Sequence, residues 1–282
     1  GMVKKADKKI VKKPTGVVNF TEQQKLPKKE RGEWHPPLPK KFSFSQFRAF
    51  ETCPWQYRYA FLLKIPVPGK ASFSFGQSMH NTLYQIHTLA RERQGTRVVN
   101  LFDQAPKKST KTLGDLIEFK EVKKIYESSW QTDWFDSLEE QNEYKKQGLE
   151  QLKMLYEKEK KNIDLPIALE EDFTLKLKNA IVKGRIDRMD SSGKEVEIID
   201  YKTGKVKEKL TKDDKLQLLI YQLALKDENR FKDKNFLLTY YYLTSGKKVS
   251  FNASEKELTE AEDKLVSLVE EMRVSDFKAT PS

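Results

Sequence analysis

Of the side chains that staple a fold covalently or through a metal, this sequence has almost none: one cysteine, Cys53, and three histidines in 282 residues. A single cysteine excludes an intrachain disulfide and any four-cysteine metal site supplied by this chain alone. Long apolar runs are missing as well. No segment approaches the roughly 18 residues that cross a bilayer, and no apolar stretch follows the basic residues near the amino end as it does in a secretory leader. A cytoplasmic protein with no membrane partner is therefore expected. No internal repeat is found. What the chain does have is positive charge, +11 with a pI near 9.3, which favours polyanionic partners such as nucleic acid. The excess is concentrated at one end. Residues 1–41 hold twelve Lys/Arg against four acids and finish in the proline-stiffened HPPLPKK, so they are expected to form a basic, flexible tail, with order starting near Phe42.

Residues 42–282 are expected to form a single domain in three parts. The first, 42–165, reads as helical: Ser45 is the expected N-cap of a helix that Pro54 interrupts, and an aromatic-rich stretch follows toward Leu63. A longer helix over 73–95 has Met79, Leu83, Ile86 and Leu89 or Ala90 near helical spacing and ends at Gly95. Residues 96–117 look like a polar insertion, and two more helical segments fill 118–162. The second part, 166–252, changes period. Runs over 171–178, 180–190 and 195–202 alternate apolar and polar residues, with a tight turn at SSGK between the last two. A helix over 214–227, a strand over 235–246 and its hairpin partner KKVSF follow. The third part, 253–282, is a helix and tail in which Ser254 and Glu257 have capping-box spacing. This order predicts an α/β fold with a mixed central sheet flanked by helices.

The chemistry concentrates in EIIDYKTGK, residues 197–205. Strand side chains alternate faces, so Asp200 and Lys202 point one way and Ile199 and Tyr201 the other. The neighbouring run GRIDRMD, 184–190, offers Asp187 beside them. Taken alone, an Asp–Lys pair is equally well a structural ion bridge. Two carboxylates converging beside a lysine make a poor core and a good divalent-metal site, with hard oxygen ligands suited to Mg²⁺ or Mn²⁺. The strand is then expected to be core on one face and site on the other.

The series GRIDRMD, EVEIIDYKTGK and QLLIYQLAL, preceded by SFSQFRAFETCPWQYRYAFLLKI and FGQSMHNTL, resembles the PD-(D/E)XK nuclease superfamily, and within it the RecB/AddB-like exonuclease domains and their CRISPR-associated relatives. The resemblance spans about Phe42 to Leu225. It implies a restriction-endonuclease-like core with an added helical region. It further implies metal ligands at His80, Asp187, Asp200 and the Tyr201 carbonyl, a catalytic lysine at Lys202, and supporting residues at Gln217 and Tyr221 in a Q-x-x-x-Y helix. Glu170 or Glu171 offers a further carboxylate, with a solvated strand start as the blander reading. The activity implied is Mg²⁺- or Mn²⁺-dependent DNA hydrolysis, exonucleolytic, in recombination or repair with a helicase partner; the alternatives are a CRISPR-adaptation nuclease and a non-catalytic nucleic-acid-binding module. For single-stranded DNA or DNA ends, Arg58, Arg185 and Arg188 are the expected contacts, with Lys205, Lys207 and Lys209 beyond the catalytic strand, whereas Trp55 and Tyr59 are expected in the core. Many RecB/AddB-like domains carry a four-cysteine iron–sulfur cluster. Only Cys53 matches one of its ligands here, so no complete cluster is expected from this chain.

Overall fold

The computed structural model describes residues 37–66, 68–95 and 111–279; the expected tail as far as Pro36 and most of the 96–117 insertion fall outside them. Two short helices, α1 (Phe44–Thr52) and α2 (Pro54–Tyr57), lead through a π-helical turn, Arg58–Leu62, toward the long α3 (Ala71–Arg93). Helices α4 (Leu113–Leu116), α5 (Phe119–Ser129) and α6 (Leu138–Glu159) complete the helical part. Leu113 and Leu116 are buried, so the end of the expected polar insertion is built into the fold.

The first helix is capped two residues before the expected Ser45. Ser43 precedes Phe44, and its backbone N–H donates to Gln46 Oε1 at 2.8 Å. Ser45 has Arg48 three residues on, which offers no acceptor for such a box. Pro54 occupies the first position of α2, where its missing N–H costs nothing.

One mixed sheet contains β1 (Lys41–Phe42), β2 (Ala168–Lys176), β3 (Ile181–Ser192), β4 (Glu195–Lys202), β5 (Asn235–Tyr242) and β6 (Lys247–Phe251). β3 is its axis. Along one side it pairs antiparallel with β2; along the other it pairs with β1 at Ile181–Val182 and then with β4 from Arg188 onward. The β3–β4 hairpin turns through Gly193 at φ +60°, a backbone region that glycine enters without steric cost. β5 lies parallel to β4, which requires a crossover, supplied by α7 (Lys212–Leu225). β6 then pairs antiparallel with β5, and α8 (Glu255–Val274) follows, capped by Ser254 and Glu257 as the spacing predicts.

Helices cover both faces. Phe47, Val182, Ile186, Ile198, Leu219, Leu238 and Leu265 fill a core between the sheet and α1, α7 and α8. Met79, Leu83, Tyr126, Leu152, Ile199, Tyr201 and Tyr241 fill a second between the sheet and α3, α5 and α6. β4 therefore contributes to core on both faces, Val196 and Ile198 to one and Ile199 and Tyr201 to the other, which corrects the expectation of a strand with one core face and one site face. The site lies at the strand's end instead.

Trp55 and Tyr59 also depart from expectation: they are 47% and 39% exposed and pack against each other, while Tyr57 is fully buried against Phe50 and Phe61. Four-residue spacing puts 55 and 59 on one helical face and 57 and 61 on another, and only the latter meets the core. Among the described residues, no helix is long and apolar enough to cross a membrane.

Candidate active site

The β3–β4 ladder runs from the hairpin turn to Arg188 and Ile199 and then opens. Past that point the Tyr201 N–H donates to a side chain, Asp187 Oδ2, at 2.8 Å. The strands on the other side of β3 are distorted at the same level. Ile186 and Met189, three apart, share one core, as do Ala168 and Phe173, five apart, on β2. An odd separation cannot place two residues on one face of a regular strand, so both strands reverse their pleat in between, while the register on either side is unbroken. Asp187 and Glu170 face each other at the reversal. Glu170 has φ +46°, a left-handed conformation for a non-glycine residue, which costs on the order of 1–3 kcal/mol and persists where the surroundings impose it.

α3 delivers His80 to this point. Met79, Leu83, Ile86 and Ala90 hold the helix on the second core, and His80 sits at the margin of that stripe. Its Nδ1 lies 3.3 Å from Asp187 Oδ1 and its Nε2 lies 3.2 Å from the Tyr201 carbonyl oxygen. Bonding both acceptors requires imidazolium, and the electrostatics agree. Burial works against that charge, but Asp187, with Asp200 and Glu170 behind it, outweighs burial and raises the pKa to about 9. Glu170 is pushed upward, first by burial and then by repulsion from Asp187. One donor atom each from His80, Glu170 and Asp187 lies within 4.8 Å of the other two.

Asp200 and Lys202 form the other half. Asp200 is 3% exposed, with Oδ2 2.7 Å from Lys202 Nζ. Its Oδ1 accepts from Gln217 Nε2 at 2.7 Å and from the Tyr221 hydroxyl at 3.2 Å. The same Gln217 amide accepts from Lys202 Nζ through Oε1 at 2.9 Å. Lys202 also lies 5.0 Å from the centre of the Tyr240 ring, its neighbour from β5. Burial raises the Asp200 pKa and Asp187 adds to it, against the pull of Lys202. Gly184 allows the packing behind this half: a Cβ there would come within 2.7 Å of the Phe173 ring, which packs edge-on against Tyr221.

The fold thus brings together His80, Asp187 and Tyr201, and, across Tyr201, Asp200, Lys202, Gln217 and Tyr221. Asp200 is outside the mutual group of donors, its oxygens turned to α7 and Lys202. Glu170, for which a solvated strand start is the blander expectation, joins the cluster because β2 and β3 reverse their pleat together. Glu171 takes no part, because Arg230 holds it. Arg185, exposed at the rim, pairs with Asp172 and Glu170. Arg188 is a correction. It is 4% exposed and its guanidinium donates to Asp190, Glu159 and the Tyr201 hydroxyl and contacts His87, so it braces the interior and cannot meet a phosphate. Arg58, in the π-helical turn, makes none of the contacts that tie the cluster together, and Cys53, half-buried, joins α1 to α2.

The residues fit a divalent cation. An imidazole, two mutually repelling carboxylates and a backbone carbonyl converge, and beside them Asp200 Oδ2 is buried without a hydrogen bond of good geometry despite its ion pair. The group opens on a cleft of about 750 Å³ lined by α3, β2 and β3.

The family model of the PD-(D/E)XK nuclease superfamily matches residues 41–282. No curated protein matches the chain in sequence. Among solved structures, a candidate exonuclease from Eubacterium rectale is similar at 12% identity and a TM-score of 0.42, covering 85% of this chain and 84% of that one. SSO0001 is similar at 12% identity and a TM-score of 0.37, covering 85% and 78%.

Proposed function

The chain belongs to the PD-(D/E)XK nuclease superfamily, and from that premise we propose that it is a Mg²⁺- or Mn²⁺-dependent deoxyribonuclease, acting as an exonuclease on single-stranded DNA or DNA ends. The observation that carries this reading is the meeting of His80, Glu170 and Asp187 beside the Asp200–Lys202 pair at the open end of two strands. His80, Glu170, Asp187 and the Tyr201 carbonyl would hold the cation, and Asp200 beside them would complete its ligands as the family resemblance implies. When bound, the cation supplies Lewis acidity to a phosphate oxygen and lowers the pKa of water.

The remaining work falls to the chain's own groups. Lys202 keeps a positive charge beside the carboxylates, where it orients the attacking water and offsets the negative charge that develops on the phosphate. Its ammonium lies over the Tyr240 ring and is fixed by Gln217 and Asp200, so it does not have to be ordered at the moment of reaction. Tyr221 and Gln217 hold Asp200 in place and are positioning residues. A role in recombination or repair, with a helicase as partner, is supported by the resemblance of the motif series to RecB/AddB-like domains.

Labelled single- and double-stranded DNA incubated with the purified chain tests this. Cleavage is expected with Mg²⁺ or Mn²⁺ and is expected to stop in EDTA. Asp200→Ala and Lys202→Ala should each lose on the order of 10³-fold of it while keeping the far-ultraviolet circular dichroism of the parent. Undiminished cleavage by both variants would refute the site.

A further inference from the structure

The cleft leading to His80 and Asp187 has two facing walls of different chemistry. On α3, Phe73, Gly76, Gln77 and His80 fall at steps that keep them on one stripe. On β3, Lys183, Arg185 and Asp187 alternate with inward-facing neighbours and share a face. Both sets line the same cleft. Phe73 is 66% exposed, in contrast to Phe75, which is buried against Tyr144 and Trp130. Next along the stripe, Gly76 leaves the wall open, since an added Cβ would meet only Thr203 Oγ1, at 3.6 Å. Across the cleft, Arg185 is neutralised by Asp172 and Glu170, whereas Lys183 forms no ion pair among the described residues.

We propose that Phe73 is a base-stacking platform: an unpaired nucleobase flanking the bond under attack lies on its ring, while Lys183 meets a neighbouring phosphate. The nature of the ligand rests on the nuclease reading. An exposed aromatic ring opposite an unpaired ammonium, both on tracks that end at the hydrolytic cluster, is the combination that holds single strands without reading their sequence. Phe73 and His80 are seven residues apart on α3, roughly 10 Å at 1.5 Å per residue. The ring therefore addresses a flanking nucleotide. A base inside a duplex is already stacked on its neighbours, so this contact selects single strands and frayed ends. The exposed pair Trp55 and Tyr59 is not among the residues lining this cleft.

The test uses the full chain carrying Lys202→Ala, with Ca²⁺ replacing Mg²⁺ so that the strand stays intact, and a single-stranded oligonucleotide containing 2-aminopurine, an adenine analogue whose emission falls on stacking. The expected result is strong quenching. Phe73→Ala should abolish it and weaken binding about tenfold, and Phe73→Trp should restore both. Lys183→Gln should keep the quenching and lower the salt dependence of binding by about 0.7 in log–log slope, one phosphate contact. The exposure of Phe73 makes unfolding by these changes a poor explanation of loss, and Phe73→Trp controls for it. Absence of quenching, or quenching and affinity unchanged in Phe73→Ala, overturns the proposal. Parent chain that quenches the probe yet never cuts DNA with Mg²⁺ or Mn²⁺ would sink the nuclease reading and leave the stacking site standing.

Discussion

The two halves of the site are built on opposite plans. On the α7 side, Asp200, Lys202, Gln217 and Tyr221 close a ring of hydrogen bonds and an ion pair in which nearly every polar atom has a partner. On the α3 side, the two carboxylates of Glu170 and Asp187 crowd together beside His80 on a pleat reversal, facing an open cleft. The first half is a rigid support. The second holds electrostatic tension that a cation relieves. The clustered cation donors and the held lysine are thereby set on either side of a single residue, Tyr201, whose N–H binds Asp187 and whose carbonyl meets His80.

The sharpest way to break that contrast is to remove charge from the open half. Asp187→Ala takes away a cation ligand and frees the Tyr201 N–H at once, so cleavage should fall on the order of 10³-fold or more, and calorimetric titration with Mn²⁺ should lose its heat. Lys202→Ala should cut as little DNA while binding Mn²⁺ as the parent does. Next in size, Glu170→Gln should weaken Mn²⁺ binding by about tenfold to a hundredfold, the range seen when a group supporting a metal site is lost. Glu171→Gln, one residue away but held by Arg230, should leave the Mn²⁺ affinity alone. Equal effects from the two substitutions would show that proximity in sequence, and not the left-handed turn at Glu170, decides the matter. The closed half should fail differently. Gln217→Leu leaves Lys202 and Asp200 each short of a buried partner, so thermal unfolding should report a loss of roughly 1–3 kcal/mol, with Mn²⁺ binding changed less than in Glu170→Gln.

The same division governs what could be read from the sequence. Asp200 with Lys202, and Gln217 with Tyr221, are set by spacings within one strand and one helix, and both pairs occur where local periodicity puts them. The Ser254–Glu257 cap and the β3–β4 hairpin were legible for the same reason. Glu170 was not. Its place depends on two strands reversing their pleat together, and nothing within nine residues of β2 announces what β3 does opposite. Arg188 looked like a phosphate contact because its burial requires partners from α3 and α6, dozens of residues away. Trp55 and Tyr59 were assigned by residue type to the core, although the face they occupy is fixed by their phase relative to Tyr57. His80 was legible only through its motif, since one histidine on a helix carries no direction by itself.

The smallest expected effect sets two histidines of one helix against each other. His87 lies two turns beyond His80 on α3 and is 3% exposed, with Nε2 3.0 Å from Arg188 and 3.8 Å from Glu159. Burial and then the Arg188 charge hold its pKa well below 6.5, with Asp190 opposing them only in part. The folded chain keeps His87 neutral while the unfolded chain takes up its proton below about pH 6.5, so stability should fall as pH drops through that value. His80 has the opposite sign. Its folded pKa of about 9 exceeds the unfolded 6.5, so its contribution is complete below pH 6.5 and disappears as pH rises through 9. In denaturant titrations of the parent in EDTA, His80 should therefore add stability as pH falls from 9 to about 6.5 and His87 should remove it below about 6.5, each contributing a slope of at most about 1.4 kcal/mol per pH unit, with Glu170 and Asp200, whose pKa values are raised, opposing His87 in acid. His80→Gln should flatten the alkaline limb alone and His87→Gln the acid limb alone; a variant that flattened both, or the wrong one, would mean that the helix does not separate a charged histidine in the cleft from a neutral one behind it.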